Sequence, residues 1–263
     1  MKRRIFVKSA MIGTAAAVLP LSGFTQLKPG HMTPMYYELR TYTLKDAAQQ
    51  RVVENYLEKA AIPAMNRHGI KNIGVFTELK PSGQSLVLVL IPYRSLHEFE
   101  TINNSLEQDQ SYSTAAAAYL NAPSTSPAYE RITSSLLKAF KNMPGLALPP
   151  KGKRIFELRT YEHASEAAGI KKREMFNDAG EIDIFKRLDF KPVFFAETII
   201  GVARPNLVYM VTFDDMAAHD QHWKSFGADS EWKKISAIPD YADTKLVSKI
   251  TPVFLQPAAY SQI

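Results

Sequence analysis

Glu38-Leu39-Arg40-Thr41-Tyr42 recurs as Glu157-Leu158-Arg159-Thr160-Tyr161, 119 residues further on. The same shift carries Val75-Phe76-Thr77-Glu78 onto Phe194-Phe195-Ala196-Glu197. A shift of 120 carries Ser95-Leu96 onto Asp215-Met216, and Asp109-Gln110-Ser111-Tyr112 onto Asp229-Ser230-Glu231-Trp232. Four matched places in one order mean that one domain has been duplicated. A chain of 263 residues has room for two small domains.

Within each copy the periodicity gives the same element order. Met35 to Thr43 alternates as a strand, and Lys45 to His68 carries a helical stripe through Val52, Val53, Tyr56, Leu57, Ala60 and Met65. Pro63 is expected to kink that helix and Gly69 to end it. Ile73 to Leu79 and Leu86 to Tyr93 are strands joined by a turn at residues 81–84, with the second apolar enough to be central. A helix through Leu96, Phe99, Ile102 and Leu106 follows, and a strand at 132–140 closes the unit. The second copy reads as strand 154–161, helix 165–188, strands 192–200 and 207–213, helix 216–226 and strand 245–254. The order βαββαβ is that of a ferredoxin-like fold. Each sheet has one helix-covered face, and the two bare faces can cover each other. The expectation is an α+β protein: two tandem ferredoxin-like units forming an intrachain dimeric α+β barrel. The units span 35–142 and 154–254, with a linker at 143–153 and a tail at 255–263.

The formal charge of +6 does not indicate nucleic acid. Lys2, Arg3, Arg4 and Lys8 hold four of the 32 basic residues, and the remaining 28 face 26 acids. Those four precede a short apolar run, a pattern that reads as a twin-arginine export signal over residues 1–26. A periplasmic protein without a stable membrane anchor after signal cleavage is the expectation; a basic, apolar anchor helix is the alternative. The chain has no cysteine, so disulfides and thiolate chemistry are excluded.

Tyr37 to Tyr42 opening a domain, Arg67-His68-Gly69 closing its first helix, and Trp223-Lys224-Ser225-Phe226 with Asp229-Ser230-Glu231-Trp232 in the second copy together resemble the NIPSNAP family. The resemblance spans both copies and implies a dimeric α+β-barrel type of fold, with no settled reaction. The first copy departs from it, with Asn103 at the place of Trp223 and Tyr112 at that of Trp232. The second half is therefore the better candidate for a working pocket.

If Tyr37, Leu39, Phe156 and Leu158 pack on the helices, then Glu38, Arg40, Tyr42, Glu157, Arg159 and Tyr161 face the barrel interior. One reading makes these a polar pocket between the halves, binding a small, partly apolar molecule through Arg40, Tyr42, Glu157, Arg159, Tyr161, Glu197 and Trp223. Glu197 and Tyr161 are its candidate catalytic groups, for cofactor-free acid/base or oxygenase-like chemistry. A second reading makes the Glu–Arg pairs structural, spanning the two halves of a binding or assembly module. A third places haem or a metal on His219 and His222, which are three residues apart on one helix; no third ligand is marked by spacing. No cofactor is otherwise called for, and whether the chain is an enzyme stays open. A homo-oligomer through exposed sheet edges is a further option. There is no G-x-S-x-G, H-E-x-x-H, P-loop or G-x-G-x-x-G motif.

Overall fold

In the computed structural model the described residues are 33–263 except Ser82. The expected export signal lies outside them. No helix among the described residues is long and apolar enough to cross a membrane.

The first half comprises β1 (Tyr36–Leu44), α1 (Ala47–Tyr56), a π-helical turn (Leu57–Ala61), α2 (Ile62–Arg67), β2 (Gly74–Glu78), β3 (Ser85–Tyr93), α3 (Leu96–Glu107), α4 (Gln110–Ala115), α5 (Ala117–Leu120) and β4 (Arg131–Ala139). The second comprises β5 (Ile155–Glu162), α6 (Glu166–Asn177), α7 (Glu181–Arg187), β6 (Pro192–Ile200), β7 (Asn206–Phe213), α8 (Met216–Ala228), α9 (Ser230–Ser236), a 3-10 turn (Pro239–Tyr241), α10 (Asp243–Leu246) and β8 (Lys249–Pro257). Helix starts repeat with the sequence. Asp46 and Ser165 cap α1 and α6, Ser95 and Asp215 cap α3 and α8, and Asp109 and Asp229 cap α4 and α9. Each accepts backbone N–H groups that the first turn leaves without partners.

The strands close in the order β1-β3-β2-β8-β5-β7-β6-β4, every pair antiparallel. Each half contributes a 4-1-3-2 sheet, and the halves join at β2–β8 and β4–β6. Closure leaves no strand of the barrel on a free edge.

Three apolar cores result. One lies under the first half's helices around Val53, Tyr56, Val89 and Ile91. Another lies under the second half's helices around Phe176, Phe185, Phe195 and Tyr209. The third fills the barrel with Tyr37, Phe76, Leu90, Phe156, Phe194 and Met210. β3 and β7 are apolar on both faces because both faces are covered.

This packing reverses the expected facing of β1 and β5. Tyr37 and Phe156 point into the barrel, whereas Tyr42 and Tyr161 belong to the helix-covered cores. Glu38, Arg40, Glu157 and Arg159 share the parity of Tyr42 and Tyr161 and lie beneath the helices. The physical reason is hydration. A closed barrel shuts water out on every side, so an inward charge has no outlet. Beneath the helices an arginine head keeps an edge in water, and Arg40 and Arg159 stay 20% and 17% exposed. The pocket between the halves that the sequence suggested is thus an apolar core.

Three element boundaries also differ from expectation. The first helix does not simply kink: it widens into the π turn just before Pro63, whose ring crowds the preceding carbonyls and donates no hydrogen bond. The helix expected at 165–188 is two helices, broken where Gly180 adopts φ +92°. The last strand runs from Lys249 to Pro257, because residues 239–246 form short helical turns.

Candidate functional site

The two Glu–Arg pairs are made within their own strands, two residues apart, and do not bridge the halves. In the first half Arg40 grips Glu38 with two bonds, Nε to Oε1 at 2.9 Å and Nη2 to Oε2 at 3.1 Å. Tyr93 donates to Oε2 at 3.1 Å and Ser134 to Oε1 at 2.7 Å. Burial works to raise the Glu38 pKa, but the Arg40 charge and these hydrogen bonds outweigh it and hold the carboxyl low. Tyrosines fill the neighbouring space. Tyr119 stacks on Tyr56 at 3.7 Å and donates to Tyr42 at 3.4 Å, and Tyr56 and Tyr112 share a 3.0 Å hydrogen bond. Four donors on one carboxylate leave nothing for a ligand to satisfy.

The second half repeats the pair with different surroundings. Phe213 stands where Tyr93 stood, so that hydroxyl is gone. The fully buried Glu157 accepts from Arg159 Nη1 at 2.7 Å and from the Trp223 indole at 2.9 Å. The Arg159 guanidinium lies 4.5 Å from the Trp223 ring centre, and its Nη2 donates to Tyr161 at 3.3 Å. Tyr161 and Tyr209 share a hydrogen bond of 3.1 Å. Burial raises the Tyr161 phenol despite the Arg159 charge.

His219, on α8, reaches the same carboxylate. Its Nε2 is 3.4 Å from Glu157 Oε2, within ion-pair range but outside hydrogen-bond alignment, while Nδ1 is 2.8 Å from Asp220. Arg159 Nε is likewise buried without a partner among the described residues. The adjoining strand β8 lines a cavity of about 420 Å³ through Pro252, Val253 and Phe254, together with Glu78, Leu79, Lys80 and Met216. Pro252 and Phe254 are the β8 partners of Arg159 and Glu157, and the Phe254 ring sits 5.0 Å from that of His219.

The fold therefore brings Glu157, Arg159, Tyr161 and Trp223 together and adds His219. It leaves Arg40 and Tyr42 in the closed first-half cluster. Glu197 stands apart, its carboxylate held by Arg173 at 3.2 Å. His222 turns away from Glu157 to the Leu188 carbonyl at 2.7 Å. No group of three or more metal-ligating side chains occurs among the described residues.

Sequence reasoning missed a buried ion pair beside Tyr161. Lys172 on α6 lies 3.0 Å from Asp243 and 3.7 Å from Glu181, its ammonium ringed by Tyr161, Phe176 and Trp232. The signal was available: the repeat places Lys172 at the position of Val53 in an apolar stripe. Burial disfavours the Lys172 charge, yet Glu181 and Asp243 more than restore it. Burial pushes Glu181 up to about 7, with Lys172 opposing. Asp243 is nearer the cation, so Glu181 gains less from it.

Between about pH 4.5 and 7 the folded chain holds a proton on Glu181 that the unfolded chain has released. This group's contribution to stability therefore falls as pH rises through that window. Melting curves from pH 5 to 7.5 should show wild type losing ground relative to Glu181→Gln. A constant difference between them would remove the assignment.

Residues 37–141 match the NIPSNAP family model. No curated protein sequence matches the chain. A candidate monooxygenase from Lactobacillus acidophilus NCFM shares the fold with a TM-score of 0.59 at 9% identity, covering 85% of this chain and 94% of that one. Another, from Fusobacterium nucleatum subsp. nucleatum ATCC 25586, gives 0.55 at 8% identity, covering 86% and 93%. At such identities the likeness extends to architecture alone, which is that of dimeric α+β barrels. Residues 37–141 are thus similar to the NIPSNAP family, within a barrel that the second half completes.

Proposed function

We propose that the second half binds a small, partly apolar molecule through a carbonyl or carboxylate oxygen placed beside Arg159 and His219. The observation that carries this reading is the contrast between the halves. Glu38 and Arg40 form a closed set, whereas Arg159 Nε and His219 Nε2 lack hydrogen-bond partners, and their neighbours Pro252 and Phe254 line a cavity. Two unsatisfied polar groups beside an apolar wall suit a ligand with an oxygen at one end and hydrocarbon at the other.

The chemistry these residues support is proton abstraction next to a carbonyl. With its Nδ1–H given to Asp220, the His219 imidazole keeps a lone pair on Nε2 that can take a proton, while the Arg159 guanidinium steadies the oxygen that gains charge. Cofactor-free acid/base or oxygenase-like activity is accordingly the class to assay. For the first half the four-fold satisfied Glu38 favours a purely structural role.

A thermal-shift screen of carbonyl and carboxylate compounds on the purified chain tests this reading. Arg159→Lys keeps a counter-charge for Glu157 but loses the planar fork. At least one compound that raises the melting temperature of wild type should fail with Arg159→Lys and still act on Arg40→Lys. A screen in which every hit is indifferent to Arg159, or one with no hits at all, would remove the site.

A further inference from the structure

A different part of the molecule also lacks acceptors. Every neighbouring pair in the eight-stranded barrel is antiparallel, so β1 and β5, four strands apart, run the same way. Tyr37, near the start of β1, and Arg154, just before β5, therefore stand at the same mouth. Both share the inward parity of Phe156. The Tyr37 hydroxyl is fully buried and has no hydrogen-bond partner among the described residues.

Arg154 is the stronger clue, because its side chain is only 7% exposed. Its Nη1 reaches Thr212 Oγ1 at a marginal 3.5 Å, and its Nη2 lies 3.8 Å from Asp214, an exposed carboxylate. Nε has no partner among the described residues. A guanidinium carries five donors, and burying it so poorly matched is costly.

Beside it is a cavity of about 390 Å³ with an apolar side of Leu148, Pro150, Phe156 and Pro257 and a polar side of Arg154, Lys151 and Gln262. The walls are fixed. The segment after β8 is tied to the first half by Val75 N–H to Ser261 Oγ and Ile73 N–H to Gln262 Oε1, both 3.0 Å.

We propose that this mouth is a second binding site, taking a small organic carboxylate whose apolar body lies against Phe156 and the prolines while Arg154 holds the carboxylate. A planar carboxylate matches the guanidinium fork, and the apolar side of the cavity gives its hydrocarbon body a surface to cover. The site is separate from the Arg159 cluster, which lies on the other face of the barrel wall.

Isothermal titration with benzoate tests it, with benzyl alcohol as the uncharged counterpart. Benzoate should bind wild type and Arg159→Lys alike, and benzyl alcohol should give no heat. Arg154→Gln should weaken benzoate by roughly tenfold or more. Leu148→Trp, which keeps the arginine but fills the cavity, should also abolish binding, so the test does not hang on one variant folding. Absence of benzoate binding to folded wild type at millimolar concentration would overturn the proposal. So would binding that survives both Arg154→Gln and Leu148→Trp, or that is lost in Arg159→Lys.

Discussion

Glu157→Ala is expected to lower the stability of the chain by about 3–5 kcal/mol, the range for deleting one member of a buried ion pair. Arg159 would keep its position under α8 with its counter-charge gone, and the Trp223 indole would lose its acceptor. Urea unfolding should show the midpoint falling with an unchanged slope, as for a local loss within an intact barrel. Adding Arg159→Ala should cost much less than a second independent loss, since the first substitution has already stranded the arginine. A fall of under about 1 kcal/mol in the single variant would mean that the pair is solvated, as surface pairs are. The enclosed cluster proposed for ligand binding would then not exist.

The opposite sign is expected for Lys172→Met combined with Glu181→Leu. Both side chains are buried, and the first half manages with Val53 at the place of Lys172 and with Ala61 and Ile62 around that of Glu181. Replacing such a pair by apolar groups of similar volume is neutral or stabilising, here by up to roughly 1–4 kcal/mol. Asp243 is half exposed and can stay charged in water. Lys172→Met alone should destabilise increasingly as pH rises, because without the cation that lowers its pKa the buried Glu181 must hold a proton that the unfolded chain has released. Chemical unfolding of wild type and both variants at pH 7.5 separates these outcomes. A double variant as unstable as the single one would show that the ion pair holds α6 against α7.

The repeated pentapeptide carried most of the architecture. Strand number, order and the pairing of halves follow from duplicating one βαββαβ unit whose bare sheet face must be covered. Which face is bare was not legible, because Tyr37-Glu38-Leu39-Arg40-Thr41-Tyr42 alternates large side chains on both sides. Tyr42 looks as polar as Arg40 in a pattern, yet its ring belongs to the helix-covered core. The break at Gly180 was visible only as a glycine, and a glycine within a helix is common enough to be passed over. For the site, the repeat marked Glu157, Arg159 and Tyr161, and the family resemblance marked Trp223. His219 was noticed for metal chemistry, and its approach to Glu157 depends on how α8 crosses β5, which no spacing encodes. Lys172 and Glu181 escaped because a helix read alone tolerates a lysine at its margin. Setting the second copy against the first, which puts Lys172 at the place of Val53, shows that this margin is the centre.

One wall shared by two halves of a single polypeptide also bears on how such a protein can change. In an assembly of identical subunits every substitution appears twice, and a residue that improves one cavity must be tolerated in the other. Here Asn103 and Trp223, or Val53 and Lys172, were free to part company. A division of labour becomes available, with one half keeping its tyrosine-filled scaffold while the other explores new cargo.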